Sequence, residues 1–290
     1  MSSVAAAERP SAQQFRDRHG HQKQKPFRDG QAMIGPPDCS WASFKRPLLR
    51  ACPLSRQEII WHDKLGYGVD GTVWKVEIDG RFYALKVFWD NKPPDGMRYW
   101  AVQRECHNAA LLQMIRTAVE KATEPIYLKR EPRTWRDAAR NLHAFSTEGS
   151  REPRFRHAPD SIPVSSSSLP RFRECFGWMS ISGAELCSLD PKLRPHGVVL
   201  DRIKRAIWPW ENYFAILYEF ISPDEQPAVQ ETDLMQSQID FLWRAGFCMI
   251  ERRLVNWRGG MLVDMADIVS PWLLEWEPML YNWFSAEDLE

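Results

Sequence analysis

Between Leu65 and Phe88 the chain reads LGYGVDGTVWKVEIDGRFYALKVF, a stretch that few backbone arrangements can accommodate. Gly66, Gly68 and Gly71 fit G-x-G-x-x-G. Beyond them Val73, Lys75 and Glu77 alternate with Trp74, Val76 and Ile78, the period of two that marks a half-buried strand. Asp79-Gly80 then closes a two-residue hairpin, because both central positions of that turn take positive φ. Arg81 to Phe88 is the return strand, with Lys86 following Ala84-Leu85. A dinucleotide fingerprint needs its glycines between a strand and a helix. Here β-branched and aromatic residues follow instead. The context predicts a glycine-rich turn between antiparallel strands, with the lysine on the third strand. Glycines suit such a turn because a Cβ would keep backbone amides away from phosphate oxygens. The plainer reading is a hairpin with glycines at its bends.

The rest of the chain sets the bounds. Its 290 residues hold one large domain or two small ones, and 14 tryptophans supply a substantial core. The formal net charge is zero, so no global field argues for nucleic acid or a membrane surface. Six scattered cysteines form no C-x-x-C and read as reduced thiols of an intracellular protein. The first residues are too polar for a signal peptide, and no apolar run is long enough to span a bilayer. Residues 1–40 have few large apolar side chains and read as a disordered leader.

A first strand is expected over Glu58–Leu65, ahead of the glycine turn. Arg98 to about Lys121 reads as a helix, with Ala101, Glu105, Asn108, Leu112 and Ile115 on one stripe. A charge inside such a stripe needs a partner, and Lys86 is the obvious one for Glu105. Residues 124–169 break the pattern and read as a flexible, basic insertion with a short helix over Trp135–His143. Its arginines interleave with Trp135, Phe145 and Phe155, a mix that can contact nucleic acid; a solvated insertion is the commoner explanation. Arg171–Met179 is a fourth strand. Tyr213–Ile221 is the strongest apolar strand and stops at Ser222-Pro223. A helix starts at Glu231 or Thr232 and ends at Gly246, where a left-handed residue belongs.

Downstream, Glu251 precedes Asn256 by five residues, Arg258-Gly259-Gly260 turns the chain, and Met261-Leu262-Val263 leads to Asp264. Asn256 and Asp264 are hard oxygen donors suited to Mg²⁺. With the glycine turn and the A-x-K strand, this resembles the protein-kinase-like fold. More narrowly, the N-x-R-G-G-x-L-V-D hairpin is similar to that of the fungal kinetochore Sim4 complex subunit family, over about Pro53 to Asp267. The resemblance implies an α+β, two-lobed fold over 53–290: an antiparallel five-stranded N-lobe to about 221 and a truncated helical C-lobe over 222–290. It implies ATP with Mg²⁺ as the ligand. Gly66, Gly68, Gly71 and Val73 would cover the nucleotide, Lys86 paired with Glu105 would hold its phosphates, and Asn256 and Asp264 would hold the metal. Backbone groups of Glu219 and Ile221 would meet an adenine edge, unless that strand is merely central.

Departures from the kinase pattern weigh against catalysis. Met249-Ile250-Glu251 stands where kinases have His-Arg-Asp, so Glu251 is the one remaining candidate base, a methylene longer. Met265-Ala266 follows Asp264 in place of Phe-Gly, and the remaining residues offer one or two helices over Pro271–Tyr281 but no peptide platform. The sequence therefore predicts a degenerate, pseudokinase-type interaction protein with a protein partner in a kinetochore or chromatin complex, hence nuclear by resemblance. A nucleotide-binding switch and a working ATP-dependent phosphotransferase are the rival readings.

Overall fold

The computed structural model describes residues 20–55, 58–96, 98–152, 158–200, 202–222 and 230–290. In chain order the elements begin with β1 (Arg28–Ala32), α1 (Trp41–Lys45) and β2 (Leu49–Ala51). The hairpin strands β3 (Ile60–Tyr67), β4 (Gly71–Ile78) and β5 (Arg81–Phe88) lead to the long helix α2 (Ala101–Lys121). Then come β6 (Ile126–Lys129), α3 (Trp135–Ala144), β7 (Ser161–Val164), β8 (Cys175–Ser182) and α4 (Gly183–Ser188). A small hairpin, β9 (Val198–Leu200) and β10 (Ile203–Arg205), precedes β11 (Asn212–Glu219) and helix α5 (Glu231–Ala245). Beyond α5 are four two-residue strands: β12 (Cys248–Met249), β13 (Trp257–Arg258), β14 (Met261–Leu262) and β15 (Ile268–Val269).

The period of two in β4 is realised. Trp74, Val76 and Ile78 are fully buried, while Val73, Lys75 and Glu77 are partly exposed. Asp79 and Gly80 take φ of 51° and 73°, which aligns Ile78 with Arg81 and Val73 with Lys86. The main sheet runs β1-β2-β8-β11-β5-β4-β3. Its five antiparallel strands are those expected, but β2 adds to β8, and β1 to β2, in parallel, giving seven. Alternation along β5 and β11 sends side chains into two cores. Leu85, Val87 and Leu217 join Trp74 and Val76 on one face. Phe88, Ile216 and Tyr218 join Cys106, Leu111 and Ile115 of α2 on the other. Lys86 lies opposite Ile216 and so shares the α2 face.

Four expectations need correction. Residues 1–19 of the expected leader lie outside the described residues, but from Gly20 onward the chain is docked. Phe27 anchors it, edge-on to Trp100 at 4.9 Å and to Phe214 at 5.6 Å. The polar residues of this segment bond its neighbours: Lys23 Nζ donates to Gly96 O at 2.8 Å, and Gln103 Nε2 donates to Gln22 O at 3.0 Å. That docking also buries the second face of α2, so the helix is covered nearly all round rather than along one stripe.

The basic insertion is also ordered where described; its residues 153–157, with Phe155, lie outside. β6 pairs with β7, and α3 is closed by a capping box between Thr134 and Asp137. Fully buried Asn141 ties α3 to its neighbours, donating to Arg244 O at 2.8 Å and to Lys129 O at 3.0 Å. Finally, Pro271–Tyr281 forms turns rather than helices. Polar tips of aromatic residues fasten these turns to the end of α5: Trp276 Nε1 donates to Gly246 O at 2.9 Å and Tyr281 Oη to Trp243 O at 2.7 Å. Gly246 ends α5 at φ 103°, as its position in the sequence requires.

The three motif glycines differ in what they face. A Cβ on Gly71 would lie 2.2 Å from Val87 O, a backbone atom that cannot step aside, whereas Gly66 and Gly68 have open space where a Cβ would go. Gly71→Ala is expected to cost about 1–3 kcal/mol by overpacking, and Gly68→Ala no more than about 0.5 kcal/mol as a surface change. Urea unfolding of the two variants checks this; equal losses would mean that the turn is held by something other than the Gly71–Val87 contact.

Candidate functional site

Lys86 and Glu105 meet because their elements leave each no alternative. β5 points Lys86 at α2, and Glu105 is fully buried one turn into that helix. The two form a buried ion pair. Tyr218, near the end of β11, donates its hydroxyl to the other Glu105 oxygen at 2.9 Å. Lys86 also reaches Asp264 Oδ1 at 3.1 Å. Asp264 caps the 3-10 turn Met265–Asp267, accepting from Ala266 N at 3.1 Å. A third carboxylate comes from the glycine turn. The Tyr99 hydroxyl donates to the Asp70 carboxylate, whose two oxygens lie 3.0 and 2.8 Å from Oη. Ligand oxygens of Asp70, Glu105 and Asp264 all lie within 4.8 Å of one another.

Three carboxylates around one ammonium determine the electrostatics. Burial alone would lower the Lys86 pKa, but Asp264, Glu105 and Asp70 together hold it above the ordinary lysine range, so it stays charged. Burial pushes Glu105 up against the pull of Lys86, and does the same to Asp70. Asp264 ends below its usual range: burial opposes ionisation, but Lys86 and the Ala266 amide outweigh it.

Helix α2 also fixes the backbone that carries Asp264. Asn108 Nδ2 donates to Met265 O at 2.8 Å and to Ile268 O at 2.7 Å, and Arg104 Nη1 to Ala266 O at 3.1 Å. The positions of Lys86, Glu105 and Asp264 are thus set by two rigid elements and one turn clamped to them.

The other sequence-derived residues fare differently. Val73 sits opposite Lys86 in register. Glu219 has both backbone groups engaged: its N–H donates to Glu174 O at 2.9 Å, and its carbonyl accepts from Arg173 Nε at 3.0 Å. Arg173 continues to Val263 O at 3.1 Å and lies over the Tyr218 ring at 4.6 Å. Ile221 is buried beside Gly259. Asn256 does not converge on Asp264 through its amide, which donates instead to Asp267. Glu251 is exposed and pairs with Arg253 at 3.0 Å.

Hard-donor chemistry for a divalent cation is present where the carboxylates of Asp70, Glu105 and Asp264 meet. An adenine edge at Glu219 would compete with Arg173. A cavity of about 730 Å³ between the Met33–Pro37 segment, α2 and the Ser166–Phe176 stretch reaches Arg173, Tyr218, Glu219 and Met265.

Sequence reasoning missed Asp70, Tyr99, Arg173, Tyr218 and Asp267. Only Asp70 carried a local signal, as the single acid inside G-x-G-x-x-G. Asp267 is pushed up to about 8 by burial, with Asp264 and Glu251 adding to it. A carboxyl whose folded pKa lies above its unfolded value stabilises the fold in acid, and that contribution is lost as pH rises through the folded pKa. Stability of the wild type is expected to decline between about pH 4 and pH 8, by at most about 1.4 kcal/mol per unit from this group. Asp267→Asn should flatten the decline. Denaturant unfolding across that window checks it, and an unchanged slope would assign the effect elsewhere.

No curated protein matches the chain. Residues 36–133 match the family described as kinetochore Sim4 complex subunit FTA2. That span holds the glycine turn, Lys86 and Glu105, and over it the chain is similar to that family.

Proposed function

We propose that the chain is a non-catalytic, protein-binding subunit of a kinetochore complex, built on a degenerate kinase-like scaffold. The kinetochore part rests on the match over residues 36–133. The non-catalytic part rests on one observation above all: the candidate base stands at the surface in an ion pair of its own. Lys86 is engaged by Glu105 and Asp264, with Asp70 of the glycine turn close by. Both backbone groups of Glu219 are engaged as well. Glu251, the candidate base, is turned to solvent and paired with Arg253. Positioning is most of phosphoryl-transfer catalysis, and a solvated, ion-paired carboxylate is poorly placed for it. Among the described residues no helix is long and apolar enough to cross a membrane.

A second reading, retained Mg-ATP binding, has its own support. Gly66 and Gly68 face open space beside an intact Lys86–Glu105 pair, the arrangement that phosphate binding requires. Thermal unfolding with and without Mg-ATP separates the readings. A bound nucleotide at about 100 times Kd adds roughly 2.7 kcal/mol, which raises the midpoint by about 5–10 °C for a chain of this size. The proposed function predicts no shift. A shift absent from Arg173-intact Lys86→Ala protein, but present in wild type, would establish the second reading.

The same reading assigns Lys86 a structural role. Lys86→Met is expected to cost about 3–5 kcal/mol of stability, because it leaves Glu105 buried without its cation. A tagged chain is expected to concentrate at centromeres; diffuse signal throughout the cell cycle would remove the kinetochore assignment.

A further inference from the structure

A groove of about 370 Å³ lies between the loop that follows β5 and the β9–β10 hairpin. Pro93 and Pro94 line one side; Lys204, Arg205 and Trp208 line the other. Neither the Lys86 cluster nor the kinetochore reading accounts for it.

Arg205 is only 4% exposed. Its Nη1 donates to Asp90 Oδ1 at 2.7 Å, but Nε and Nη2, though buried, have no partner among the described residues. Buried N–H groups are almost always satisfied, so two buried, unpaired donors on one guanidinium at the groove wall point to an acceptor beyond the described residues. A carboxylate fits best, since its two oxygens match the guanidinium fork.

The surrounding charge agrees. Asp90 is shared between Arg98 and Arg205, and Glu211 stands 3.9 Å from Lys92. Asp95 acts on Lys23, whose ammonium is held by Pro94 and Gly96 carbonyls. Lys204 is exposed and has no carboxylate partner among the described residues. The wall carries as many carboxylates as cations, but Asp90, Asp95 and Glu211 each have a cation beside them, so the charge left over is that of Lys204 and the Arg205 fork.

Beside these cations are two outward-facing indoles. Trp208 is 48% and Trp210 73% exposed, and their rings stack at 5.2 Å and 24°. Exposed tryptophan beside arginine is the composition of binding hot spots. Three carboxylates in the groove wall oppose a continuous phosphate backbone, and nucleic-acid sites present a basic stripe. A peptide with spaced carboxylates can set one charge at Lys204 and Arg205 and keep its other charges away from Asp90, Asp95 and Glu211.

We propose that this groove docks an acidic, extended peptide segment of a partner protein. One side-chain carboxylate seats on Arg205 and Lys204, and a neighbouring apolar side chain lies against Trp208. The inference stands apart from the Lys86 site and survives its failure.

The test is fluorescence anisotropy of a short fluorescein-labelled peptide alternating Glu with Leu, titrated with the full chain. Binding is expected, weakened about tenfold or more by Lys204→Glu and by Trp208→Ala. The peptide with Lys in place of Glu should not bind. Arg205→Lys, which keeps the charge but loses the fork, should weaken binding as well. Lys204 and Trp208 are exposed, so their variants should unfold at the wild-type temperature and read binding alone. Absent binding, equal binding of the two peptides, or unchanged affinity in both exposed-site variants overturns the proposal. Preferential binding of an oligothymidylate would overturn it in favour of a nucleic-acid surface.

Discussion

The buried pair of Lys86 and Glu105 is the contact on which the rest of the structure depends. It joins the central sheet to α2, and α2 in turn clamps the Asp264–Ile268 segment through Arg104 and Asn108. Three parts of the chain that are distant in sequence therefore share one electrostatic centre. Desolvating an ion pair is costly, and a buried pair on its own is weak evidence of stability. Here the pair is not alone: Tyr218 occupies the second Glu105 oxygen, and Asp264 supplies a second anion to the lysine. With both Glu105 oxygens bonded, the pair restricts α2 to one depth against the sheet. A hydrophobic replacement would not specify that depth.

The same completeness shapes what the site can do. A lysine surrounded by acceptors from its own chain has less to gain from phosphate. Asp70 matters most in this respect, because it belongs to the turn that would otherwise cover a ligand. Its anchor is Tyr99, just before α2, whose ring carries the Arg104 guanidinium at 3.8 Å. Turn, helix start and Asp264 segment are thus coupled through Tyr99 and Arg104, so moving the turn would disturb both.

Legibility in the sequence followed the reach of the interactions. β4 and β5 could be read because alternation and Asp79-Gly80 are local signals, and the hairpin they specify sends Lys86 to the α2 side. The Lys86–Glu105 pair followed from a charge lying in an apolar stripe. Residues 20–38 could not be read, since one aromatic side chain, Phe27, and several backbone carbonyls do the docking, and none leaves a periodic trace. Pro271–Tyr281 forms turns where the sequence suggests one or two helices, because the Trp276 indole and the Tyr281 hydroxyl bond carbonyls at the end of α5, and no local pattern announces that. Arg173 and Tyr218 were invisible for a different reason. Their roles depend on which carbonyl or carboxylate lies across the core, and no spacing within the chain encodes that. The bond from the Asn256 amide to Asp267 was equally invisible, because no spacing in the chain distinguishes Asp267 from Asp264 as its acceptor.

Under the proposed reading, the two ends of the site are closed to different degrees. At the phosphate end the exchange would be like for like. A phosphate oxygen could replace Asp70 as a nearby anion, the glycine turn would lose its hydrogen bonds to Tyr99, and Lys86 would keep its charge. At the base end there is no such exchange. An adenine edge offers a donor to the Glu219 carbonyl, where Arg173 already donates a charge-assisted bond, and such bonds are worth about 1.5–3 kcal/mol. Displacing Arg173 would also strand a buried guanidinium that holds Val263 O and lies on Tyr218. Burial already presses its pKa down, so it has little tolerance for losing acceptors. Under that reading, nucleotide chemistry would be blocked at Arg173 as much as at Glu251. The Arg173 guanidinium, bonded to Glu219 O and Val263 O, ties the end of β11 to the segment that carries Asp264.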